Sequence, residues 1–298
     1  MGAADKFSLI ILHALLDFLK FLTYGIFVRK TGTAFYLFFA LSLPASRAAF
    51  EKIEMGASAL AMGNAAVARS GFPFAVHFNP AAINVQGPLG FALTYRDFYG
   101  LKEVRQVDLV SNFSIAGRSF SMGINHLGSA HYAEIQVCLG MAHDFGHQFS
   151  MGLCFQLYHL RIKGYGEDLA WGIHCGVLYE LLPSLALGAQ MTNLNRPHIS
   201  ASAEKLPQMM TLGLCYTATE KMCILFAVCR DIRYDPEYRA GMAYQLTEGF
   251  TLRAGLEDSI ETVSAGCGFA LNDFCIEYAL RIHQTLGASH IVSFCLSL

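Results

Sequence analysis

The sequence predicts an all-β protein, a transmembrane antiparallel β-barrel of about fourteen strands with an N-terminal lumen plug. Three observations predict it. Hydrophobicity alternates with period two from Leu89 to the last residue, as in strands that present one face to each side of a sheet. The links between alternating segments are short and long in turn. The composition is apolar without a long apolar run in the body of the chain: 54% of residues are hydrophobic and only 15% charged. A soluble domain carries roughly 25% charged residues, and a helical membrane protein shows several runs of about 20 apolar residues.

Taken in order, residues 1–48 read as a signal peptide with an upstream extension. An apolar stretch over 7–28 contains Asp17 and Lys20, then Arg29-Lys30 precede an apolar core, Ala34–Leu43, Pro44 and small residues. A basic region, a short apolar core and a small-residue exit have the form of a secretory signal, with cleavage after Ala48. A retained membrane anchor is the alternative, and either way the segment stands outside the fold.

Residues 49–87 read as the plug, centred on Gly56–Ile83. This stretch is rich in Ala and Gly, carries Arg69 as its single formal charge, and is broken by Pro73 and Pro80. It is too small-residue-rich and too interrupted for an amphipathic helix, and suits close packing inside a larger body.

Residues 88–298 read as the barrel. The strands are expected near 88–97, 104–115, 119–126, 132–144, 148–159, 168–181 and 184–192. The second seven are expected near 207–218, 221–231, 236–246, 249–257, 261–270, 273–282 and 287–298. In the segment Phe274–His283, Phe274, Ile276, Tyr278, Leu280 and Ile282 share one face, and Cys275, Glu277, Ala279, Arg281 and His283 share the other. Tight turns such as Phe145-Gly146-His147 and Leu182-Pro183 alternate with longer links such as Arg161–Glu167 and Asn193–Leu206. Short turns at one rim and longer loops at the other describe an outer-membrane barrel. A soluble sandwich, barrel or propeller would instead bury the apolar faces. Polar faces rich in Gly, Ala, Ser and Cys, together with sparse charge, suit a crowded lumen better than a solvated exterior.

Gly56–Ile83, with Met62-Gly63, an aromatic stretch and Asn79-Pro80-Ala81 just before the first strand, resembles the N-terminal segment of FadL-type (OmpP1/FadL/TodX) outer-membrane transport barrels. It is equally similar to that of the related PorV/PorQ-type barrels. The resemblance implies a fourteen-stranded barrel in the bacterial outer membrane. From the FadL branch it implies passive uptake of fatty-acid-like hydrophobic molecules past a plug acting as hatch. From the PorV branch it implies a scaffold or shuttle in protein secretion, working through its extracellular loops and moving no small molecule. The partners expected are outer-membrane lipid, hydrophobic small molecules and, on the second reading, secretion-system proteins.

Phe72, Phe74, Phe78, Asn79, Pro80 and Ala81 are the candidates for a ligand path beside the plug, or for packing the plug against the wall. By alternation Glu237, Arg239, Arg253, Glu257, Glu277 and Arg281 face the lumen, where a mutually paired charge network is the simplest reading. Eleven His residues include no HExxH spacing, and no GxSxG elbow is present for Ser/His/Asp chemistry. No catalytic residue, metal or cofactor is expected. The net charge of −2 supplies no basic surface for nucleic acid. Nine Cys sit singly in predicted strands without a CxxC, an odd number that leaves at least one unpaired in a monomer.

Overall fold

The computed structural model describes residues 49–50, 55–85, 89–101, 104–199, 204–231, 234–258 and 262–298. The signal segment expected over 1–48 lies outside the described residues. A strand with one apolar face needs neighbours for its backbone N–H and C=O groups, and in a bilayer only closure of the sheet satisfies all of them. The chain meets this with fourteen strands in one closed antiparallel barrel. Its first half is β1 (Leu89–Asp97), β2 (Arg105–Ile115), β3 (Arg118–Gly128), β4 (Tyr132–Asp144), β5 (Phe149–Ile162), β6 (Gly166–Leu182) and β7 (Leu185–Met191). The second half is β10 (Met209–Thr219), β11 (Met222–Asp231), β12 (Glu237–Thr247), β13 (Phe250–Glu257), β14 (Thr262–Leu271), β15 (Phe274–His283) and β16 (Gly287–Ser297). Among the described residues two further strands, β8 (His198–Ile199) and β9 (Glu204–Lys205), form a small ribbon between β7 and β10. The sequence pattern gives only a long link there, because two-residue strands carry no readable alternation.

Each barrel strand pairs with its sequence neighbour. β7 pairs with β10 across the ribbon, and β1 closes on β16 from Gly90↔Ser297 to Asp97↔His290. Register is fixed by the alternation, since a one-residue slip would turn every side chain to the wrong face. On β15, Phe274, Ile276, Tyr278 and Ile282 are exposed, while Glu277, Ala279 and Arg281 are buried. The exposed set continues around the wall with Leu93, Leu109, Ile124, Leu139, Phe155, Trp171, Leu212, Tyr244 and Leu252. A girdle of large apolar side chains this extensive is the lipid face of a membrane barrel, where apolar surface needs no cover from protein.

The lumen is filled by residues 55–85. Helical turns at Ala57–Ala61 and Ala75–Phe78 alternate with 3-10 turns at Ala66–Ala68 and Pro80–Ala82. No turn lengthens into a full helix, because the Gly and Pro residues interrupt it. Asn79 caps the last turn: the Ala81 N–H donates to Asn79 Oδ1 at 3.0 Å, and Pro80 occupies the first helical position, where its missing N–H costs nothing.

The wall admits this segment at three places, each made by two glycines directly opposite on adjacent strands. Gly152 of β5 faces Gly176 of β6, Gly188 of β7 faces Gly213 of β10, and Gly241 of β12 faces Gly255 of β13. Asn79-Pro80-Ala81 lies against the first pair, Val67-Ala68 against the second and Met62-Gly63 against the third. A β-carbon at any of these six glycines would collide with plug atoms or, at Gly213, also with the neighbouring strand. Gly63 meets the wall from the plug side. It has φ +60°, and a β-carbon there would sit 2.6 Å from the Leu256 carbonyl oxygen, so both backbone shape and space require glycine.

Candidate functional site

The plug and the lumen wall around it form the candidate site. Small residues bring the plug backbone close to the wall, and a few polar groups fix its position. Asn79 is fully buried and anchors the segment in two directions. Its Nδ2 donates to the Val67 carbonyl at 2.8 Å within the plug and to the Val177 carbonyl of β6 at 3.0 Å. Wall side chains hold other points. The Ala57 N–H donates to Ser293 Oγ at 2.8 Å, Asn112 Nδ2 donates to the Pro73 carbonyl at 2.9 Å, and Asn64 Nδ2 donates to Glu257 Oε1 at 3.0 Å.

The lumen charges lie against the plug rather than along an open channel. Arg253 pairs with Glu277 at 2.9 Å, Arg281 with Glu257 at 3.3 Å, and Arg239 with Glu237 at 3.1 Å. Each carboxylate is therefore compensated where water is scarce. Two plug residues add to this electrostatic frame, and of these the sequence reading noted only Arg69, as the single formal charge of the stretch. His77 Nε2 lies 3.5 Å from Asp108 Oδ1 of β2, both nearly inaccessible. Burial opposes a charge on His77, but the Asp108 carboxylate outweighs it and raises the imidazole from 6.5 to about 9. Arg69 stacks over Phe72 with its guanidinium 4.8 Å from the ring centroid. Burial, and then the nearby Arg253, lower its pKa from the ordinary arginine value.

Of the aromatic candidates, Phe74 is fully buried against Gly56, and Phe72 and Phe78 pack at 5.6 Å between centroids. Phe78 borders a cavity of about 80 Å³ on the longer-loop side of the plug, with Phe50, Val67, Tyr158, His174 and Asn193 among its walls. Phe72 borders a cavity of about 100 Å³ and Ala81 one of about 140 Å³, both lined by residues near the tight-turn ends of the strands. Asn79 and Pro80 are buried in the plug–wall contact and border none of these three spaces. The plug thus has voids on both sides, each far below the roughly 300 Å³ that a small-molecule pocket needs.

Thr192, Asn193 and Pro207, between β7 and β10, line the loop-side cavity together with Phe50 and Tyr158. Phe50 packs edge-on against Tyr158 at 5.1 Å, in a cluster with Ile199 of β8, Leu206 and Ala170. The Phe50 N–H donates to the Glu134 carboxylate at 3.2 Å, which the Tyr132 hydroxyl also reaches. Inside the cluster the Tyr158 hydroxyl donates to Asn193 Oδ1 at 2.9 Å and lies 3.1 Å from His174 Nε2. Asn193 Nδ2 donates in turn to the Pro207 carbonyl at 2.7 Å. Sequence reasoning missed Tyr158 and Asn193. Their signal is a polar or bulky side chain at an inward position among small neighbours. Among the described residues no cluster of three or more His, Cys, Asp or Glu could hold a metal ion.

No protein-family model matches the sequence, and no curated protein is similar to it. Solved structures are similar in fold. The Pseudomonas putida toluene transporter TodX superposes with a TM-score of 0.63 at 14% identity, over 84% of this chain and 99% of that one. The monoaromatic hydrocarbon channel CymD gives 0.61 at 13% identity, over 82% and 97%. A Pseudomonas aeruginosa FadL homologue gives 0.57 at 12% identity, over 83% and 99%. The chain shares with these structures the fold of a closed antiparallel barrel.

Proposed function

We propose that this protein is a bacterial outer-membrane channel for passive uptake of hydrophobic small molecules, with residues 55–85 as its gate. The observation that carries this reading is the way the plug is held. It is a small-residue apolar segment seated on bare glycine backbone, with voids above and below and few polar anchors. Such a segment blocks water and ions, yet displacing it breaks few hydrogen bonds. The similar solved structures named as a toluene transporter and a hydrocarbon channel support a hydrophobic cargo. An apolar molecule entering from the loop side would meet Phe50, Phe78 and Tyr158 first. Its transfer would draw on roughly 25 cal/mol per Å² of apolar surface removed from water. The cavity of about 80 Å³ must enlarge for this, so entry and plug displacement are coupled.

The test is native mass spectrometry of the detergent-purified barrel incubated with a fatty acid or an aromatic hydrocarbon. Channel function predicts a bound ligand mass that is lost in Phe78→Ala and Tyr158→Phe/Phe78→Ala. It also predicts flux of the same compound into vesicles carrying the protein. A ligand-free barrel that instead retains an exported protein would replace this reading with the secretion scaffold.

A further inference from the structure

We infer that a further cavity on the tight-turn side of the plug, walled by β12 to β15, is a station for the hydroxyl group of a phenol or other apolar alcohol leaving the barrel. This deepens the channel reading above and rests on it. The cavity measures about 150 Å³, and a void of about that size holds a benzene ring. Gln245 of β12, Thr251 and Arg253 of β13, Gly268 of β14 and Glu277 of β15 line it, with Gly249 beside the turn.

Position ties this cavity to the plug. Arg253 lies two residues from Gly255, where Met62-Gly63 docks, and Gly268 lies two from Gly266, against which Ala61 packs. Inward positions on a strand recur every second residue, so Arg253, Gly268 and Glu277 form the next layer toward the tight-turn rim. A molecule passing the displaced Met62-Gly63 dock meets that layer first. Glycine makes room for it: a β-carbon at Gly268 would sit 2.6 Å from Arg253 Nη1, so the guanidinium rests against bare backbone.

The polar groups select the chemistry. Arg253 Nη2 and Glu277 Oε1 are 2.9 Å apart, and the two side chains are only 9% and 10% exposed. Among the described residues, Arg253 Nε and Nη1 and Glu277 Oε2 have no hydrogen-bond partner. Donors and an acceptor are therefore left over side by side, in a cavity whose guanidinium and carboxylate charges cancel. Arg69 of the plug does not border it. A hydroxyl completes this set, because its oxygen accepts while its proton donates. It accepts from the Arg253 guanidinium and donates to Glu277 Oε2. A carboxylate has no proton to give and would face the Glu277 charge. A pure hydrocarbon would leave all of these groups unpaired, which a buried polar site penalises.

The probes are fluorobenzene, 4-fluorophenol and 4-fluorobenzoate, which share a ring and differ in the group presented. Binding to the full chain, purified from outer membranes in detergent and checked by heat-modifiable gel mobility, is read by fluorine NMR against protein-free micelles. 4-Fluorophenol should bind about tenfold tighter than either companion, the worth of one hydrogen bond to a charged group. In Arg253→Met/Glu277→Leu, which removes both charges together and leaves neither stranded, the preference should fall to about one. In Glu277→Gln the guanidinium loses its counter-charge, and 4-fluorobenzoate should overtake the phenol. Equal binding of the three, tightest binding of 4-fluorobenzoate to the unaltered protein, or a phenol preference that survives the double variant would overturn the inference and leave the channel reading standing. Binding of none of the three would overturn the channel reading, and the inference with it.

Discussion

The two faces of a single strand obey different rules. On β5, Met151, Leu153, Phe155 and Leu157 point outward and are exposed, whereas Gly152, Cys154, Gln156 and Tyr158 point inward and are buried. The outer face is specified only by polarity: any large apolar side chain satisfies lipid. The inner face is specified by shape, one position at a time, because a plug backbone lies against Gly152 and a polar cluster against Tyr158. Alternation therefore reveals where the wall is, and the exceptions to bulk on its inner side reveal what the wall holds.

The largest test of that contrast is Gly176→Leu. Its side chain would enter the space of the Asn79 carboxamide and the Pro80 ring, and the expected loss of plug docking is about 3 kcal/mol, the upper end of overpacking. Proteolytic cleavage within 55–85 should accelerate while the barrel stays folded; unchanged protection would remove the idea of glycine docks. Next comes Asn79→Ala, which strands the Val67 and Val177 carbonyls and the Ala81 N–H. It should cost about 2 kcal/mol, from the desolvation of unpaired buried groups, read as faster hydrogen exchange across the plug. On the outer face, Leu153→Arg should lower barrel stability in lipid by about 2 kcal/mol, with the plug left in place. Denaturant titration in vesicles measures this, and a simultaneous loss of plug protection would contradict the independence of the two faces.

A smaller effect is expected from pH. His77 is raised from 6.5 to about 9 in the docked state, so its pair with Asp108 contributes fully below 6.5 and is lost as pH rises through about 9. Ion leak through the barrel in planar bilayers should increase over that window. Asp108→Asn should abolish the pH dependence, and a leak that grows on acidification instead would reverse the assignment. The smallest effect belongs to Leu153→Ile, within about 0.5 kcal/mol, by the same denaturant titration.

The contrast also explains what the sequence disclosed. All fourteen barrel strands were legible to within a few residues, because lipid on one side and a filled lumen on the other enforce period two along every strand. The β8–β9 ribbon was hidden, since its strands are two residues long. Within the site, the inward placement of Arg253, Glu257, Glu277 and Arg281 followed from alternation, but their partners did not. Pairing across strands depends on register, which alternation defines only up to a shift of two. His77 with Asp108, and Tyr158 with Asn193, join residues far apart in the chain, and no local pattern announces them. The three glycine pairs were present as inward glycines in mid-strand, yet their facing each other is a fact of register too.

Those glycine pairs also gauge the size of the barrel. They sit on β5–β6, β7–β10 and β12–β13, and one continuous stretch of chain, from Met62 to Ala81, has to reach all three at once. A wall with one hairpin more or fewer would set its docks at other separations, which the same segment does not span. The three contacts of the plug thereby match the circumference of a fourteen-stranded wall. Strand number, ordinarily a property of the sheet, is checked here by a segment that belongs to none of it.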